Sequence, residues 1–152
     1  MLPIDRTTHE RVAATLSGGA RKRAVAGWAA FAALDMPTER EENWRYVHPG
    51  VDLGQFLIPE SPGNPLPPVL ELGSSATALN VDGHTVAVAP GDGVAVSSLA
   101  DGADHGMAPV IRDRFEALHE AFASDGVLVE VPRGSIVSGP VVVDLQAVTA
   151  AG

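Results

Sequence analysis

Residues 115–146 read FEALHEAFASDGVLVEVPRGSIVSGPVVVDLQ, and the fold turns on where the period of this stretch changes. Val110, Ile111, Phe115, Leu118 and Phe122 recur at helical spacing, which predicts an amphipathic helix closed by Asp125-Gly126. After Gly126 the runs VLVEVP, SIV and VVVDL are short and rich in valine, broken by Arg133-Gly134 and Gly139-Pro140, which predicts strands. Strands of this length suit a sandwich, a barrel or a coil of a parallel β-helix, and periodicity does not choose among them. A sheet that stopped at VVVDL would leave an apolar edge unpaired, a route to association. The expectation is therefore a truncated chain whose strands continue.

Upstream of this stretch, TALNVDGHTVAV places Asp82-Gly83 between two alternating apolar runs. Asp-Gly accepts the positive φ angles of a type I′ turn, so a hairpin is expected. Pro90-Gly91-Asp92-Gly93 marks a further turn, VAVSSL a third strand, and ADGADHGMA a loop over 100–108. Residues 59–68, PESPGNPLPP, hold five prolines and one glycine, which predicts an extended linker.

The N-terminal third reads as helical. Thr7 and Glu10 have capping-box spacing ahead of Val12, Ala13 and Leu16, and Gly18-Gly19 is expected to end that helix. A second helix near Ala20–Leu34 puts Val25, Trp28 and Ala32 on one stripe with Phe31 beside it, and Met36-Pro37 stops it. Thr38 and Glu41 repeat the capping spacing just before Trp44-Arg45-Tyr46. This triplet holds the only tyrosine and one of the two tryptophans. An aromatic pair with an arginine binds rings or anions on some proteins. Buried anchoring is the commoner use of such rings, each worth roughly 2–3 kcal/mol by area, so Trp44, Arg45 and Tyr46 are expected to be a structural anchor, with Arg45 paired to Glu41 or Glu42.

Composition sets the outer bounds. Apolar residues make up 45% and charged residues 19%, too apolar for a disordered chain, while 16 glycines and 12 prolines interrupt any long bundle. No apolar run approaches the ~20 residues of a membrane helix, and MLPIDRTTHE lacks the pattern of a signal peptide, so a cytoplasmic location is expected. The absence of cysteine excludes disulfides, thiolate metal ligands and a cysteine nucleophile. Residues 1–50 carry seven Lys/Arg and six Asp/Glu, whereas residues 51–152 carry three and thirteen. A surface this acidic repels phosphate backbones, which argues against nucleic acid as a partner.

Candidate chemistry is sparse. His119-Glu120 begins like a zinc-protease signature but HEAFA lacks the second histidine, so a solvated helix face is the preferred reading. Asp101, Asp104 and His105 are a candidate cation or zinc set in a glycine-rich loop, where turning and solvating the backbone is the simpler role. His84 follows the hairpin turn and reads as a strand-edge residue. Gly91-Asp92-Gly93-Val94 lacks the third glycine and the Gly-Lys of a nucleotide loop. Ser97, Ser98 and Ser135 lack the Gly-x-Ser-x-Gly setting of an esterase nucleophile. No catalytic, cofactor-binding or metal residue is assigned.

Several motifs in order point further. Met36-Pro37-Thr38, Glu41-Glu42 and Trp44-Arg45-Tyr46 come first, then VDGHTVAVAPGDGVAVSSLADG, then FEALHEAF with Asp125-Gly126, Val131-Pro132-Arg133-Gly134 and Gly139-Pro140. Together they resemble the SufB/SufD family of SUF iron–sulfur cluster assembly proteins, and the aromatic triplet resembles the SufD side of it. Asn43 between the acidic pair and Trp44, and Val47-His48 where threonine or serine is usual, depart from that pattern.

The resemblance implies an α+β chain with a helical N-terminal region, a small β/α segment, and the start of a right-handed parallel β-helix. The implied divisions are 1–58 helical, 59–68 linker, 69–126 strand pair and helix, and 127–152 the first β-helix strands. It implies a non-catalytic scaffold of the SufBCD complex, partnered by a SufB-like subunit and a SufC-like ABC-type ATPase that binds ATP. The complex would handle an iron–sulfur cluster, but the family's cluster-related positions fall outside these residues, so no cofactor is expected on this chain. Two other classes remain open: a metal-dependent hydrolase or acyltransferase using Asp101, Asp104 and His105, and a carbohydrate- or peptide-binding module presenting Trp44 and Tyr46.

Overall fold

The computed structural model describes residues 1–47, 50–68, 73–101 and 110–148. The chain is mixed α+β and divides into two compact units that interleave in sequence. The first comprises Met1–Ile58 and Asp104–Ala123, the second Pro59–Ala103 and Ser124–Gly152. The helix predicted from FEALHEAF thus belongs to the same unit as the N-terminal helices.

In the first unit, β1 (Leu2–Pro3) pairs antiparallel with β2 (Leu57–Ile58), closing residues 1–58 into a loop. Helix α1 spans Arg6–Thr15. Its cap is Asp5, whose carboxylate accepts the Thr8 N–H at 2.7 Å, so the helix starts ahead of the predicted Thr7–Glu10 box. Glu10 instead pairs with Arg6 at 3.2 Å on the exposed face. The chain then runs extended through Leu16 and Ser17, and Gly18-Gly19 open α2 (Gly18–Ala33) where the sequence predicted an ending.

The buried face of α2 also differs from the predicted stripe. Ala24, Gly27 and Phe31 are buried, Trp28 is half-buried, Ala32 is exposed and Val25 is 54% exposed. The reason is the close approach of α3 (Arg114–Phe122), which buries Ala117, Ala121 and Phe122. Small residues let two helix backbones meet, and the large side chains flank the contact instead of filling it. The Arg114 guanidinium donates to the Leu34 carbonyl at 2.7 Å and lies over the Phe31 ring, 4.5 Å from its centroid. It therefore serves an orphan carbonyl at the C-terminus of α2 while covering the core aromatic.

The second unit holds β3 (Ala76–Val81), β4 (His84–Ala89), β5 (Ala95–Ser98), β6 (Val127–Glu130) and β7 (Val141–Gln146). Strands β3 and β4 form the hairpin that Asp82-Gly83 predicts, with φ of 51° and 83° at the two turn residues. Strand β3 pairs on its other side with β7 in parallel, from Ala76↔Val141 to Val81↔Gln146, giving the order β4-β3-β7. Strands β5 and β6 pair antiparallel. Ala76, Ala78, Val94 and Val96 form the core, with Val127, Val137 and Val141 packed on it.

Of the three predicted valine-rich strands, SIV (135–137) is not one. Its backbone passes Gly93, where an added Cβ would stand 3.3 Å from the Ile136 carbonyl oxygen, and it forms no ladder. The turn before it is real: the Ser135 N–H donates to the Pro132 carbonyl and Gly134 has φ of 86°. Gly91 is held against Ser75, whose carbonyl a side chain at 91 would strike.

Candidate functional site

Trp44 ends a one-turn 3-10 helix, Glu42–Trp44, and Arg45 and Tyr46 follow it. The turn is entered as the spacing predicts, since the Glu41 carboxylate accepts the Thr38 N–H at 3.0 Å. Three neighbours in sequence then have three different fates. The Trp44 ring lies 5.2 Å from that of Phe115, and its indole N–H donates to Asp113 at 3.2 Å. Asp113 is also the N-cap of α3, accepting the Phe115 and Glu116 N–H groups. Trp44 thus ties the loop to the start of α3. Arg45 reaches Glu42 at 3.5 Å with both side chains largely exposed, a pair of little energetic consequence. Tyr46 is 88% exposed, so its ring buries too little to anchor anything. The anchor reduces to Trp44 with Asp113 and Phe115.

The three described histidines, His9, His84 and His119, do not converge. His9 is 5% exposed, stacked on Trp28 at 5.0 Å and edge-on to Phe122 at 5.9 Å. Its Nδ1 lies 3.0 Å from the Ala121 carbonyl oxygen. A carbonyl only accepts, so Nδ1 carries the proton and donates. His9 thereby serves one of the last carbonyls of α3, a role its position in α1 gave no means of reading. His84 pairs with Val81 at the hairpin end, and His119 lies on the exposed side of α3. The candidate metal set of Asp101, Asp104 and His105 lies outside the described side chains, as does His48. Among the described residues no three His, Cys, Asp or Glu side chains are grouped to hold a metal.

The second unit contains the most developed polar centre. The Asp125 carboxylate accepts from the Ser98 hydroxyl at 2.6 Å and from the N–H groups of Thr85, Gly126 and Ala100. The Thr85 hydroxyl in turn donates to the Gly126 carbonyl at 2.9 Å. Burial opposes ionisation of Asp125, but the hydrogen bonds from Ser98, Thr85, Gly126 and Ala100 outweigh it and hold the pKa below its ordinary value. Asp125-Gly126, predicted to close a helix, instead knots β4, the end of β5 and the start of β6 together; α3 has already ended at Phe122. Its partners are three backbone N–H groups and the Ser98 hydroxyl, which together fix the carboxylate in place.

A surface suited to contact lies on the β4-β3-β7 sheet. One face holds a groove of about 360 Å³ lined by Leu79, Ala87, Val142, Asp144 and Gln146, with Leu66 at its wall. On the opposite face, beyond the core, Val143 and Leu145 of β7 are exposed, Leu145 by 73%. Among the described residues strand β7 is the margin of this sheet, and Asp144 is the one charged side chain in VVVDLQ. The valine pattern pointed to this strand; its parallel partner, about 65 positions earlier, left no local signal.

Among the described residues no helix is long and apolar enough to cross a membrane. No protein-family model matches the chain, and no curated protein matches it.

Proposed function

We propose that this chain is the N-terminal part of a SufD-like scaffold subunit, acting by assembly and not by catalysis. Its partners on this reading are a SufB-like subunit and a SufC-like ABC-type ATPase, which together handle an iron–sulfur cluster at the cost of ATP. The fold on this reading continues into a right-handed parallel β-helix in the cytoplasm. The observation that carries it is β7: a valine-rich strand with a parallel partner on one side and exposed Val143 and Leu145 at the margin. A parallel rung with exposed apolar side chains at the sheet margin suits a wall of strands that is extended by further rungs or by a partner. The ordered motifs from Met36 to Pro140 support the family assignment.

A glycan- or peptide-binding platform of Trp44 and Tyr46 loses its basis, because the Trp44 ring is packed on Phe115 while Tyr46 stands exposed. The test of the main reading is purification of the tagged full product of this reading frame from its native cells. Recovery of a SufB-like chain and an ABC-type ATPase supports it, and recovery of neither overturns it. The 152-residue chain alone, incubated anaerobically with iron and sulfide, is expected to gain no stable visible absorption.

A further inference from the structure

The proline-rich segment 59–68 is fastened, not free. The Gly63 N–H donates to Asp82 Oδ2 at 3.0 Å. The Leu66 N–H donates to Gln146 Oε1 at 2.8 Å, and Gln146 Nε2 donates back to the Leu66 carbonyl at 3.0 Å. One side-chain amide therefore makes the pair of hydrogen bonds that a neighbouring strand's backbone would make. The same two residues are themselves fixed in the sheet. The other Asp82 oxygen accepts the Val148 N–H, the Asp82 N–H donates to the Gln146 carbonyl, and Gln146 Nε2 also reaches Asp144.

Three features make this fastening weak by construction. Leu66 is flanked by Pro65 and Pro67, which have no N–H, so the segment cannot lengthen its pairing into a ladder. Its side chains are almost all exposed, so little apolar burial adds to the polar contacts. Its hydrogen bonds to Gln146 face water, where each is worth little net. Yet Leu66 and Pro68 form one wall of the groove over Leu79, Ala87 and Val142.

We propose that residues 59–68 are a releasable strap, latched through Asp82 and Gln146, whose opening bares the apolar groove on the β4-β3-β7 sheet. The inference is independent of the scaffold reading, since it concerns only contacts within this unit.

Native-state hydrogen exchange on the 152-residue chain tests it, with an apolar dye, 1-anilinonaphthalene-8-sulfonate, as the probe of the groove. In the parent chain the Gly63 and Leu66 amides are expected to exchange well ahead of the β3–β4 hairpin amides. Gln146→Ala is expected to speed Leu66 exchange about tenfold, leave the hairpin within twofold and raise dye fluorescence. Leu66→Pro removes the donor from the strap side without altering the sheet; it is expected to speed Gly63 exchange and raise dye binding likewise. Strap amides that exchange only together with the hairpin overturn the proposal, as does unchanged dye binding in Leu66→Pro.

Discussion

Gly27 of α2 faces Ala121 of α3 so closely that a Cβ on residue 27 would stand 2.5 Å from the Ala121 amide nitrogen. The added carbon would meet the backbone of residues 120 and 121 and the Glu120 Cβ, so no flexible side-chain end can swing aside to relieve it. Alanine in a helix interior is ordinarily favoured over glycine by about 1 kcal/mol. Overpacking a tight contact costs about 1–3 kcal/mol, more where only backbone can yield. Gly27→Ala is therefore expected to destabilise the chain by about 1–2 kcal/mol in urea titration, and Gly27→Val by more. A gain in stability from Gly27→Ala would mean that α2 and α3 stand further apart.

Asp125 gives the chain an acid sensitivity with a defined sign. Its pKa is lowered in the folded state, against the pull of burial, by hydrogen bonds from Ser98, Thr85, Gly126 and Ala100. A depressed carboxyl pKa contributes stability that is present above the unfolded value, near 3.8, and lost as pH falls through the folded value. Replacing the carboxylate also strands partly buried donors, at about 1–3 kcal/mol. Asp125→Ala is expected to lower the thermal midpoint at pH 7, with the gap to the parent chain shrinking below pH 4. A gap that stayed constant down to pH 2 would remove the carboxylate from this role.

Trp44 and Tyr46 separate by mutation as they separate in space. Trp44→Ala removes the ring on Phe115 and the donor to Asp113, and is expected to cost about 2 kcal/mol and to speed exchange at the start of α3. Trp44→Phe keeps most of the packing and should cost under about 1.5 kcal/mol. Tyr46→Ala is expected to stay within about 0.5 kcal/mol of the parent chain. Equal losses at 44 and 46 in the same denaturation series would restore the two-ring anchor.

What could be read from the sequence was local. The Asp82-Gly83 hairpin was legible because a type I′ turn needs positive φ at both positions, and few residue pairs accept that. The helices were legible as helices, but their faces and caps were not. On α2 the contact is made by Ala24 and Gly27, which a search for large apolar residues passes over in favour of Val25. On α1 a single carboxylate, Asp5, outcompeted a better-spelled box two residues on. The parallel pairing of β3 with β7 and the joining of α3 to the N-terminal helices depend on long-range burial, which leaves no period in the chain. The candidate metal loop is a different case, because Asp104 and His105 lie outside the described residues.

His9 joins two helices through one ring, and its two functions are separable. The ring stacks on Trp28 and meets Phe122 at its edge, while Nδ1–H serves the Ala121 carbonyl near the end of α3. His9→Phe keeps an aromatic plane of similar size but leaves a buried carbonyl without its donor, at about 1–3 kcal/mol. His9→Ala loses the stacking as well and opens a cavity, so it is expected to cost about 1–2 kcal/mol more than His9→Phe. Urea titration followed by Trp28 fluorescence measures both, in a Trp44→Phe background that removes the other tryptophan. If His9→Phe matched the parent chain, packing alone would account for the buried histidine, and the hydrogen bond to Ala121 would be incidental.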